Sequence, residues 1–122
     1  MNEQGIILFG HGARNAEYIQ PFLRIQAEVR VRAPQTAVEI GFLELTQPPL
    51  EAAIDNLLAQ GVHQIRIVPI FFAPGRHVLK DLPELVAALI DRHPQLMIDI
   101  APCVGEGAGV IAAMAEHALG EC

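Results

Sequence analysis

Two histidines carry the chemistry legible in this chain: His11, framed as Gly10-His11-Gly12-Ala13-Arg14, and His77, in Ala73-Pro74-Gly75-Arg76-His77. A neutral imidazole donates a lone pair to a borderline transition metal or accepts a proton from a substrate nitrogen, and a pair can divide the two tasks. Both uses need an open ring. The glycines around His11 and before His77 are expected to let the backbone turn and to leave the rings uncovered. Two histidines are an incomplete set for a structural zinc, which takes four protein ligands. A metal is therefore expected to pass through such a site rather than reside in it.

Other residues fall near the same place in the chain's plan. Glu44 follows the run Val38, Ile40, Phe42, whose alternation would put it on the apolar side if the extended backbone persisted that far. A carboxylate there would assist proton removal or complete a metal's ligand set. Arg14, Arg76 and Lys80 supply positive charge suited to a polycarboxylate. His63, His93 and His117 lack the glycine framing and read as solvated surface residues. Asp81-Leu82-Pro83-Glu84 reads first as a helix N-cap with a capping-box Glu. Gly105-Glu106-Gly107-Ala108-Gly109 lacks the spacing of a dinucleotide fingerprint, and Cys103 reads as a small buried thiol.

The elements that must position these groups follow from periodicity. Short Ile-, Val- and Phe-rich runs at 5–9, 37–42, 64–71 and 96–101 alternate with stretches of helical period, a βαβαβαβα plan. The first helix is expected near Gln20, with Pro21 in its first turn, leaving 10–19 as a loop with at most one irregular turn. The second carries Leu50, Ile54, Leu57 and Leu58 on one face, with Pro48 and Pro49 in its first turn and Gly61 at its end. The third repeats the pattern in Leu82, Leu85, Val86, Leu89 and Ile90, and the fourth in Val110, Ile111, Met114 and Ala118. Strands joined by helices run parallel with right-handed crossovers, giving an α/β sheet with helices on both faces. The first and third runs are almost wholly apolar, as central strands should be, while Glu39 and Asp99 interrupt the others. The order 2-1-3-4 satisfies this. Its switch point lies between the carboxyl ends of strands one and three, where ligands bind in such sheets and where His11 and His77 belong.

The chain has 122 residues, 52% apolar and 18% charged, which suits one domain spanning 1–122 with a single core. Its net charge of −6 argues against a nucleic-acid binder or an anionic membrane surface, both of which select clustered positive charge. Cys103 and Cys122 are too few and too far apart for a metal knuckle or a redox pair, and no apolar run approaches about 18 residues. A cytoplasmic protein, neither exported nor spanning, is the expectation.

Three motifs together resemble the short form of the CbiX and SirB group of class II tetrapyrrole chelatases. They are Gly10-His11-Gly12 with Arg14, Phe42-Leu43-Glu44-Leu45 followed by Pro48 or Pro49, and Val68-Pro69-Ile70-Phe71 running into Gly75-Arg76-His77 with Asp81 beyond. The resemblance covers nearly the whole chain. It implies insertion of a divalent metal, usually cobalt and in relatives nickel or iron, into sirohydrochlorin or a close precorrin, without ATP or a resident organic cofactor, in cobalamin or sirohaem-type biosynthesis. By position it makes His11 and His77 the catalytic, metal-binding histidines and Glu44 the acidic residue beside them. Ala13 departs from the pattern, since the family commonly has Ser there. Larger relatives hold two such halves in one chain, so the resemblance implies a homodimer, and a single four-stranded sheet does offer only one wall to a flat macrocycle. Two other readings use the same rings. A non-catalytic metal or tetrapyrrole carrier would keep what it binds. A histidine phosphatase would carry Arg directly before the first His, where this chain has Gly10.

Overall fold

The computed structural model describes residues 4–73 and 75–121, the side chains of 77 and 79 excepted. Four strands, β1 (Gln4–Gly10), β2 (Ala37–Phe42), β3 (Gln64–Pro69) and β4 (Met97–Ile100), alternate with four helices, α1 (Gln20–Arg32), α2 (Leu50–Ala59), α3 (Arg76–Arg92) and α4 (Ala108–Ala118). The strands form one parallel sheet in the order β2-β1-β3-β4. The alternation of side chains along β1 divides the core in two. Ile7 and Phe9, with Ile65 and Ile67 of β3, meet Leu50, Ile54 and Leu57 of α2 and Leu82, Val86 and Leu89 of α3. Leu8 faces the other way with Val38, Ile40 and Phe42 of β2, against Phe22 of α1. Each such side chain removed from water is worth about 1.5–3 kcal/mol, which is why both faces carry helices. Among the described residues no helix is long and apolar enough to cross a membrane.

The expected start of α1 at Gln20 agrees with the structure, and the loop before it holds one 3-10 turn, Ala16–Ile19, capped by Asn15 Oδ1 accepting the Glu17 N–H at 2.8 Å. Three expectations are corrected. Pro48 and Pro49 precede α2 rather than sitting in its first turn: the ring of Pro49 keeps Pro48 out of the helical region, and Pro49 is itself the extended N-cap. The far end closes as expected, with Gly61 N–H bonded to the Leu58 carbonyl and Val62 N–H to that of Leu57. Asp81 is not the N-cap. It lies inside α3, which begins at Arg76, because Val78 continues the buried stripe of Leu82 a turn upstream of the apparent cap and Pro83 is tolerated within the helix. Strand β3 ends at Pro69 rather than at 71.

The last helix departs most. α4 forms where the pattern puts it but buries none of its residues, leaving Ile111 53% and Met114 41% exposed. It packs chiefly on the 3-10 turn Val104–Glu106 that precedes it. Its apolar stripe is real in the sequence, yet one copy of the chain gives it no sheet to cover.

Candidate functional site

The C-terminal edge of β1 is built by two loops held face to face. Pairing between β1 and β2 continues past the strands: Leu43 N–H donates to the Gly10 carbonyl at 3.0 Å and Glu44 N–H to the His11 carbonyl at 3.1 Å. Residue 44 is thereby brought beside residue 11, and His11 Nε2 lies 3.1 Å from Glu44 Oε2. A carboxylate can only accept, so in the neutral ring Nε2 carries the proton and Nδ1 keeps the lone pair. The side chains are 43% and 56% exposed, so solvent screens the contact, which orients the ring more than it stabilises the fold.

Glu44 is not on the apolar side of an extended strand. The chain bends after Phe42, with Leu45 at φ 67, and the carboxylate emerges on the surface next to the imidazole. The same bend carries Thr46 to the other loop, where its hydroxyl accepts the Ala13 N–H at 2.9 Å and donates to the Ala13 carbonyl at 3.0 Å. The main chain of residue 13 is thus held from outside its own loop. Sequence reasoning passed over Thr46; its one signal was a hydroxyl two residues beyond the acid in Glu44-Leu45-Thr46.

Glycine 12 is required by this junction. Its φ is +99, and a Cβ would lie 1.6 Å from the Glu44 carbonyl oxygen. Gly75 makes no comparable turn: its backbone is ordinary extended chain, and among the described residues nothing approaches within 4 Å of an added Cβ.

The remaining candidates sit around this edge. Arg14 is exposed and borders a shallow recess of 330 Å³ with Asn15, Thr46 and Gln47. Arg76 opens α3 and Lys80 follows one turn later, both exposed. Among the described residues none of these three cations is hydrogen-bonded or ion-paired to His11 or Glu44. His77 is the second residue of α3, and its side chain lies outside the described residues. Among the described residues no three His, Cys, Asp or Glu side chains gather closely enough to hold a metal. His93 approaches Asp55 at 3.8 Å, tying α3 to α2. Cys103 is buried, and burial, with Glu106 second, pushes its thiol up from the ordinary value. It stays a protonated packing residue.

Comparison with known proteins follows the same lines. The CbiX family model matches residues 5–119. The chain is similar to the sirohydrochlorin cobaltochelatases of Methanocaldococcus jannaschii, at 31% identity over 74% of this chain and 63% of that protein, and of Saccharolobus islandicus, at 39% over 67% and 62%. The matches therefore span less than two thirds of those relatives. Among solved structures, a CbiX protein from Marinobacter aquaeolei VT8 superposes with a TM-score of 0.83 at 30% identity, covering 97% of this chain and 96% of that one. The sirohydrochlorin chelatase SirB from Bacillus subtilis subspecies spizizenii, in complex with cobalt, gives 0.82 at 26% identity, with 97% of this chain matching 50% of SirB.

Proposed function

The chain belongs to the CbiX family, and from that premise we propose that it inserts a divalent metal into sirohydrochlorin or a close precorrin without ATP. The observation that carries this reading is the His11 Nε2–Glu44 Oε2 pair at the carboxyl edge of the central strands. Insertion exchanges two pyrrole N–H protons for one M²⁺, so the site needs bases for the protons and a hold on the metal weak enough to release it. An imidazole backed by a carboxylate meets both demands. His11 and His77 are the metal-handling and proton-accepting groups, Glu44 drains the proton from the His11 ring, and Arg14, Arg76 and Lys80 hold peripheral carboxylates. The metal is a substrate, cobalt first, with nickel or iron as alternatives, since imidazole and carboxylate accept all of them; no resident organic cofactor takes part.

The direct test mixes purified protein with sirohydrochlorin and each of Co²⁺, Ni²⁺, Fe²⁺ and Zn²⁺ separately, and compares initial rates by absorbance with the spontaneous reaction. Acceleration with at least one metal is expected. Tight stoichiometric retention of metal or macrocycle with no acceleration would instead identify a carrier. Glu44→Gln, which keeps shape and loses the proton acceptor, is expected to lower the rate about 10- to 100-fold.

The homodimer belongs to the same proposal. It is supported by the uncovered stripe of α4 and by the match of this chain to half the length of SirB. Sedimentation should give about twice the 13.2 kDa of one chain; a monomer at the concentration of the assay would remove this part of the reading. A cytoplasmic setting fits the free thiol of Cys103.

A further inference from the structure

Phe72 is 75% exposed at the edge that carries His11. The Ile70 N–H donates to the Phe9 carbonyl at 2.8 Å. β1 and β3 are neighbours in the sheet, so His11, two residues beyond Phe9, and Phe72, two residues beyond Ile70, both leave it at the same carboxyl edge. The adjacent ring, Phe71, turns inward and packs edge-on against Phe9, centroids 6.0 Å apart. The backbone between them is clamped. Gly105 N–H donates to the Phe71 carbonyl at 2.9 Å, and a Cβ on residue 105 would lie 2.1 Å from the Phe72 carbonyl oxygen. The outward ring is therefore held out by a tight main-chain contact rather than left on a slack loop.

A single exposed apolar residue is ordinary. This one borders an open recess of 480 Å³ lined also by Ile70, Ala73, Val104 and Met114, within the size range of small-molecule sites. Resting on the metal-insertion reading, we infer that Phe72 and this recess form the apolar wall against which the flat face of the tetrapyrrole lies. The macrocycle must lie beside His11 for a metal held there to reach its ring nitrogens, and the wall stands at the same carboxyl edge of the neighbouring strand. An extended π-system stacks well on an exposed phenyl face, while the peripheral carboxylates need the cationic rim and not this recess. The geometry makes Phe72 a determinant of tetrapyrrole affinity with no part in proton transfer.

The test titrates metal-free sirohydrochlorin into the full chain and its Phe72→Ala and Phe72→Tyr variants, following the pigment's absorbance, with sedimentation of each protein alongside. Phe72→Ala should weaken binding about tenfold while Phe72→Tyr stays within about twofold. In the insertion assay KM should rise by a similar factor, with kcat held. Equal affinity of Phe72→Ala and the unaltered protein would overturn the wall. So would a shift of Phe72→Ala from dimer to monomer, which would make this face a contact between copies. If all three proteins bind tetrapyrrole in the expected order and none accelerates insertion, the wall stands and the catalytic reading falls. No binding by the unaltered protein removes both.

Discussion

His11→Ala should reduce metal insertion by about 100-fold or more, toward the spontaneous rate, and leave the fold as it is. The two halves of this expectation have separate grounds. A positioned general base contributes about 10²–10⁴ in rate, and the Glu44 carboxylate holds the His11 ring in place for that role. The structural role of residue 11 runs through its main chain, whose carbonyl accepts the Glu44 N–H, and alanine keeps that bond. Truncating a partly exposed side chain of this kind changes stability by roughly 0.5 kcal/mol or less. Absorbance-followed insertion and thermal unfolding, measured on the same preparation, separate the two effects. His77→Ala should behave alike. Undiminished turnover in both variants would remove the histidines from the mechanism.

Gly12→Ala should unfold more easily and be nearly inactive. Its Cβ cannot coexist with the Glu44 carbonyl 1.6 Å away, and φ +99 is itself unfavourable for alanine. To make room the two loops must part, which breaks the Glu44 N–H bond to the His11 carbonyl and the paired bonds between Thr46 and Ala13. Strain of about 1–2 kcal/mol plus the net loss of three hydrogen bonds at about 1 kcal/mol each amounts to roughly 4–5 kcal/mol. That corresponds to a fall of about 15–20 °C in Tm. Activity falls with it because the His11–Glu44 pair depends on the same junction. Gly75→Ala is the control. With none of the described residues within 4 Å of the added carbon and an unstrained backbone, it should melt within a degree or two of the unaltered protein. A Gly12→Ala variant as stable as that control would mean the loops are not docked as described.

Where sequence reading succeeded and where it failed has a common cause. Apolar runs and helical stripes are short-range patterns, so the four strands, the four helices and the order β2-β1-β3-β4 could be read from them, as could the placement of His11 at a strand's end. The start of α1 followed from the fixed φ of Pro21. The start of α3 did not, because a local capping signal at Asp81 competed with burial of Val78 and Leu82, and burial prevailed.

The site divides in the same way. Which residue types stand at positions 11, 44 and 77, and on which side of the sheet's ends they belong, is a property of the linear chain. That Glu44 meets His11 through a bend, that Thr46 reaches across to Ala13, and that Gly12 lies against the Glu44 carbonyl are facts of three dimensions. They depend on the in-register pairing of β1 with β2 carried into the loops. The bareness of α4 is likewise invisible to periodicity, which says which face of a helix is apolar but not whether anything lies opposite it. Local preferences act over one or two turns of chain, whereas contacts between loops thirty residues apart exist only once the sheet has brought their ends together.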